Sequence, residues 1–305
     1  MKIFIDTANL DEIRKALSWG IVDGVTTNPS LIKRAVDQLK KLKVRKIDIE
    51  SYIKEICLAA GKERPVSLEV ISLRAQEMIE EAELLYRKFN PLAGNVVIKI
   101  PISTYTRMGG VSHYEGLKAI THLSREEIPV NTTLIMSPEQ ALLAAKAGAR
   151  YASPFAGRVD DYIRKKLGIQ FRKQDYFDFD LMQKITKDKL TRFMDSSGER
   201  DAASLYLDEK IKEWKDLGKD NGISSGVHLV EEIVNIYQNY RIKTEVIAAS
   251  MRNGRQVREV ALAGAHIATI PFNVMEEMIQ HPKTVEGIET FSRDVVPEYR
   301  DLFEE

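Results

Sequence analysis

Asn95-Val96-Val97-Ile98-Lys99-Ile100-Pro101 carries apolar residues on both of its alternating faces. That is the pattern of a strand covered on both sides, as in a parallel sheet. Seven more short runs of β type stand at 2–6, 24–28, 65–70, 129–135, 151–155, 244–250 and 266–271. Amphipathic segments separate them, such as 10–18 behind Asn9 as N-cap and 137–147 with Pro138 at the first helical position. Strands alternating with helices imply a parallel sheet, and eight such units imply a closed (β/α)8 TIM barrel. A doubly wound sheet is the rival, but no Gly-x-Gly-x-x-Gly follows the first strand. The single unit spans 1–305. Its excess length lies at 33–48, 103–114 and, above all, 162–222, an insertion after strand six. Each follows a strand and so falls on the C-terminal face, where barrel active sites are built. The long insertion is read as a solvated excursion or an oligomer contact before a lid.

Lys99 is the anomaly within the first run. An ammonium in an apolar strand must be paired, face a cavity, or give up its proton. A neutral lysine attacks carbonyl carbon, whereas an edge position or a structural ion pair explains the residue equally well. Strand parity supplies neighbours for it. Asp6 ends the first strand, and Thr26 with Asn28, Ser67 with Glu69, Asn131 with Thr133, Ser153 with Phe155, and Ala248 with Ser250 and Arg252 are each assigned to one face. Taken singly these have plain explanations: Asp6 caps the next helix, the Thr-Thr-Asn before Pro29 is a turn, Glu69 pairs a lysine. Together they place a polar ring at the strand C-termini around one cavity. Arg158 and Arg252 lie just above their strands, and with Ser250 they suit a phosphate or another oxyanion.

Composition narrows the alternatives. The chain has 305 residues, 44% hydrophobic and 30% charged, with 45 basic and 45 acidic side chains. Zero net charge leaves no electrostatic footprint for nucleic acid or for an anionic membrane. Cys57 is the sole cysteine, so no intramolecular disulfide forms. The five histidines show no metal-ligand spacing, and no metal is expected. With no membrane-length apolar run, and a first strand starting at Lys2, a soluble cytoplasmic protein is expected.

The motifs Asp6-Thr-Ala-Asn9, Gly24-Val-Thr-Thr-Asn-Pro-Ser30, Val97-Ile-Lys-Ile-Pro101, Pro154-Phe-Ala-Gly-Arg158 and Ala249-Ser-Met-Arg-Asn253 resemble those of the transaldolase family. The likeness is to its short transaldolase and fructose-6-phosphate aldolase branch, over 1–161 and 223–292. The resemblance implies a class I aldolase-type barrel that works without a cofactor, with Lys99 as the Schiff-base residue. Asp6 then matches the general acid/base, and Glu69 with Thr133 the holders of a proton-shuttling water. Asn28, Asn131 and Ser153 match the groups that bind the dihydroxyacetone hydroxyls, and Arg158, Ser250 and Arg252 the phosphate clamp. Phe155, Ser153 and Glu69 stand where the aldolase branch carries Tyr, Ala and Gln, which favours transfer over release of free dihydroxyacetone.

The expected partners are phosphorylated ketoses and aldoses. An aldolase releasing dihydroxyacetone, an enzyme for another anionic (for example sulfonated) ketose, and a non-catalytic sugar-phosphate binder are the alternatives. Arg107, His113, Arg164, Lys165 and Lys166 are further candidates to reach the site, each read first as a loop or surface residue. The helical tail 285–305 carries an apolar pattern at Ile288, Phe291, Val295, Val296, Tyr299 and Leu302. It is assigned either to a homo-oligomer contact or to the chain's own barrel.

Overall fold

The computed structural model describes residues 1–41, 48–106, 112–198 and 217–304. Eight parallel strands close into one barrel in chain order: β1 (Lys2–Asp6), β2 (Gly24–Thr26), β3 (Val66–Glu69), β4 (Val96–Pro101), β5 (Val130–Ile135), β6 (Tyr151–Pro154), β7 (Glu245–Ala248) and β8 (Ile267–Ile270). β1 pairs with β8 to complete the ring. The chain is therefore the (β/α)8 barrel that the alternation of strands and helices implied.

The outer helices form where an apolar stripe meets good end chemistry. In α1 (Leu10–Ser18), Leu10, Ile13 and Ala16 face the barrel, and the Asn9 side chain accepts from the Asp11 and Glu12 N–H groups. Asp6 does not cap this helix. After β2 come α2 (Pro29–Lys41) and α3 (Ile49–Ala60), so residues 33–41 of the extra length there are helical. α4 (Ala75–Ala93), α5 (Glu115–Arg125), α6 (Pro138–Lys146, capped by Ser137) and α7 (Ala156–Lys166) follow their strands. α7 runs on to Lys166, so the insertion leaves the helix only after that residue. α8 (Phe179–Ser197) lies within the insertion; the helical pattern expected at 201–217 lies almost wholly outside the described residues. α9 (Gly226–Asn239), α10 (Gly254–Leu262) and α11 (Phe272–Met278) complete the ring. α12 (Pro282–Arg293) is followed only by short helical turns at Pro297–Arg300 and Asp301–Phe303, and none of its residues is fully buried. No described helix is long and apolar enough to cross a membrane.

Two cores result. The larger lies between strands and helices and takes residues such as Val25, Leu68, Ile98, Val130, Val246 and Ala248. The smaller fills the lower barrel with Phe4, Val97, Tyr151, Ile247 and Ile267. Gly24 has to be glycine beside it, because a Cβ there would stand 2.6 Å from the Phe4 ring.

Candidate active site

One step of two residues above the apolar floor, the barrel interior turns polar. Glu69, Lys99 and Asn131 are register partners across β3, β4 and β5, so they stand side by side at one height. Lys99 is only 4% exposed, and its Nζ lies 3.2 Å from Glu69 Oε2 and donates to Thr27 O at 3.2 Å. The buried charge is thus paired, and the same ammonium faces a cavity of about 510 Å³ at the strand C-termini.

Asp6 lines that cavity from β1. Burial pushes its carboxyl above the usual carboxylate range, against the pull of Lys99, the Thr26 hydroxyl, Arg34 and Lys173. Thr26 Oγ1 donates to Asp6 Oδ1 at 2.8 Å and lies 2.5 Å from Thr269 Oγ1. The Thr26 proton goes to Asp6, so Thr269 is the donor in the second bond. Ser153 Oγ donates to Asn131 Oδ1 at 2.7 Å, and Asn131 Nδ2 donates to Ser67 Oγ at 3.1 Å, which fixes the amide's orientation. Asn28 accepts the Leu31 N–H at 2.9 Å, holding the start of α2 at the cavity wall. Phe155 presents its ring to both Lys99 Nζ (5.9 Å) and the Arg158 guanidinium (4.9 Å).

Eight expected residues therefore line one cavity: Asp6, Asn28, Lys99, Ser153, Phe155, Arg158, Ser250 and Arg252. Glu69, Asn131 and Thr133 stand behind this lining. Glu69 touches Lys99 directly, and Asn131 touches Ser153. Thr133 shares the inward face of Asn131 by parity, and its buried Oγ1 has no protein hydrogen-bond partner. That hydroxyl is suited to a water or ligand.

Parity fails on β7. Ala248 packs outward in the core under the helices, and the inward residue is Ile247. Ser250 and Arg252 reach the cavity because Ser250 adopts φ +66, which turns the chain over the strand end. Gly157 makes room for this turn, since a Cβ there would lie 2.1 Å from Ser250 O. Arg252 is also less free than expected: its Nη2 donates to Asp161 Oδ2 at 2.6 Å.

Thr269, Arg34 and Lys173 line the cavity without having been read from the sequence. Thr269 was legible, two residues past Ile267 on the same strand face. Arg34, on α2, and Lys173, in the insertion, carry no local signal, because long-range folding alone brings them in. Of the further loop candidates, Arg164 is buried between the rings of Phe171 and Phe177 at 4.9 and 5.2 Å, and His113 stacks on Tyr105. Lys165 is exposed, Lys166 donates to Lys219 O, and Arg107 lies outside the described residues. Among the described residues, no three His, Cys, Asp or Glu side chains gather to hold a metal ion.

The chain is similar in sequence to known proteins. A family model described as transaldolase/fructose-6-phosphate aldolase matches residues 3–196 and 191–304. A probable transaldolase of Caldicellulosiruptor saccharolyticus is 41% identical over 295 residues, covering 96% of each chain. One from Aquifex aeolicus is 40% identical with the same coverage, and one from Herpetosiphon aurantiacus is 36% identical over the whole of both chains. A match across nearly its full length, on a closed eight-stranded barrel, places this chain in the transaldolase/fructose-6-phosphate aldolase family.

Proposed function

We propose that the protein is a transaldolase, moving a dihydroxyacetone unit from a ketose phosphate to an aldose phosphate through an imine on Lys99. The observation that carries this is Lys99 itself: a buried amine at the floor of an open cavity, 3.2 Å from one carboxylate and facing a second, Asp6. Lys99 gives a proton to Glu69, its freed Nζ adds to the ketose C2 carbonyl, and Glu69 returns the proton to the carbinolamine hydroxyl, whose loss as water gives the iminium. Asp6 takes the C4 hydroxyl proton, the C3–C4 bond breaks toward the iminium, and an aldehyde leaves behind the enamine. The enamine then attacks the acceptor aldehyde, Asp6 returns the proton to the new hydroxyl, and water releases the product ketose. Glu69 and Thr133 hold the water for the dehydration and hydrolysis steps. Asn28, Asn131 and Ser153 bind the hydroxyls of the three-carbon unit, while Arg158, Ser250 and Arg252 hold the phosphate.

Phe155 favours transfer over hydrolytic release, because the ring beside Lys99 brings no hydroxyl to orient water against the enamine. Borohydride reduction in the presence of fructose 6-phosphate, followed by peptide mapping, is the test. The expected adduct is on Lys99; labelling elsewhere, or none, overturns the mechanism. Turnover with and without an acceptor aldehyde separates transferase from aldolase.

The assembly is proposed to be a homo-oligomer built through the tail. Ile288 is 60% and Phe291 72% exposed, and no residue of their helix is fully buried. Light scattering on Phe291→Asp should show smaller particles than the unaltered chain; an unchanged mass rejects this contact.

A further inference from the structure

Three cations face the cavity mouth with no carboxylate partner among the described residues: Arg34 from α2, Arg158 from α7 and Lys173 from the insertion. The fourth, Arg252, shares Asp161 with Arg164. Cations therefore outnumber carboxylates at the mouth. Lys173 feels this directly, being held below the ordinary lysine range first by Arg252, then by its own desolvation and by Arg34 and Arg158, with Asp161 opposing.

The segment that carries Lys173 is fixed on both sides. Asn253, the N-cap of α10, donates through Nδ2 to Gln174 O at 3.1 Å. Arg164 Nη2 donates to Asp175 O at 2.8 Å while its guanidinium lies between Phe171 and Phe177. Tyr176 Oη donates to Glu259 on α10. These bonds strap the insertion to the turn that presents Arg252. Lys173 thus stands over the cavity on an anchored backbone, with its own side chain exposed and uncommitted.

We infer that Lys173 is a specificity-determining residue of this cavity, added by the insertion to Arg34, Arg158 and Arg252 so that the mouth selects a dianionic phosphate ester over a monoanionic ester of the same shape. The inference rests on the transaldolase reading for the sugar part of the ligand; the charge preference belongs to the cavity. Above its second pKa of about 6 a phosphate monoester carries nearly two charges, while a sulfate ester of equal size carries one. Coulomb attraction scales with the product of charges, so each added cation widens the gap between the two.

Calorimetric titration of the full chain at pH 8 and low salt with glycerol 3-phosphate and glycerol 3-sulfate isolates this term. The phosphate should bind at least about tenfold more tightly, and Lys173→Gln should remove most of that ratio. Lys173→Arg should keep it, which separates charge from any change in fold. A wild-type ratio near one, or a ratio unchanged in Lys173→Gln, overturns the inference. If borohydride fails to trap fructose 6-phosphate on Lys99 while the ratio still depends on Lys173, the transaldolase reading falls and the inference stands.

Discussion

The barrel interior holds two layers, one above the other on the same strands. Phe4, Val97, Tyr151, Ile247 and Ile267 make the lower layer. Two residues further along the same strands stand Asp6, Lys99, Ser153, Ala249 and Thr269, which belong to the cavity. The lower layer is buried, mostly apolar and carries no charge, so it stabilises the fold by about 1.5–3 kcal/mol per large side chain. In the upper layer the burial of Asp6 is itself unfavourable to its charge, and Lys99 is tolerated because Glu69 and a carbonyl oxygen meet it. One layer closes the barrel; the other is held ready for chemistry at some cost in stability.

Substitutions in each layer test that division. Lys99→Met should have the largest effect, lowering turnover by at least about four orders of magnitude because the covalent route is gone. A steady-state assay with fructose 6-phosphate and an acceptor measures this, and substantial residual transfer would end the Schiff-base reading. Asp6→Asn comes next, with a loss of about 10²–10⁴-fold in kcat as expected for a missing acid/base group.

The same Asp6→Asn variant should be more stable at neutral pH, not less. The Asp6 carboxyl is raised in the folded chain, so below about pH 4 it is protonated in both states and contributes nothing. As pH rises the unfolded chain ionises first, and wild-type stability falls until the folded carboxyl ionises too. Asn cannot ionise and still accepts from Thr26. A Tm above wild type at pH 7 that converges with it near pH 3 is the expected result; a lower Tm at pH 7 would mean that the charged form is favoured by its surroundings.

Phe4→Ala, in the lower layer, should lose about 3–5 kcal/mol in denaturant unfolding. Its remaining folded fraction should still form the Lys99 adduct, and loss of the adduct from folded protein would break the division of labour. Thr269→Val is the mildest, about 0.5–1.5 kcal/mol, since Thr26 keeps its bond to Asp6. A cost well beyond that range would make Thr269 part of the structural layer.

Both layers were partly legible in the sequence, because period-two alternation carries over directly to facing side chains wherever a strand stays regular. β1, β4 and β6 obey it, and Asp6, Lys99 and Ser153 fall as their positions require. On β5 the positive φ of Leu134 and the register shift beyond Thr132 re-aim the strand end, leaving Ile135 in the outer core. On β7 the strand ends at Ala248 and the left-handed Ser250 resets the direction of everything after it. Alternation cannot report a single backbone torsion of this kind.

Local pattern by itself determined the eight strands, the cap at Asn9, Pro138 at the start of its helix, and the charge buried in β4, since these depend on residues a few positions apart. Only the tertiary structure decided that Glu69 meets Lys99, that Asp161 occupies Arg252, and that Arg34 and Lys173 converge on one cavity. Those contacts join residues far apart in the chain. Their distances follow from closing the barrel and seating the insertion on α10, steps that no local sequence pattern encodes.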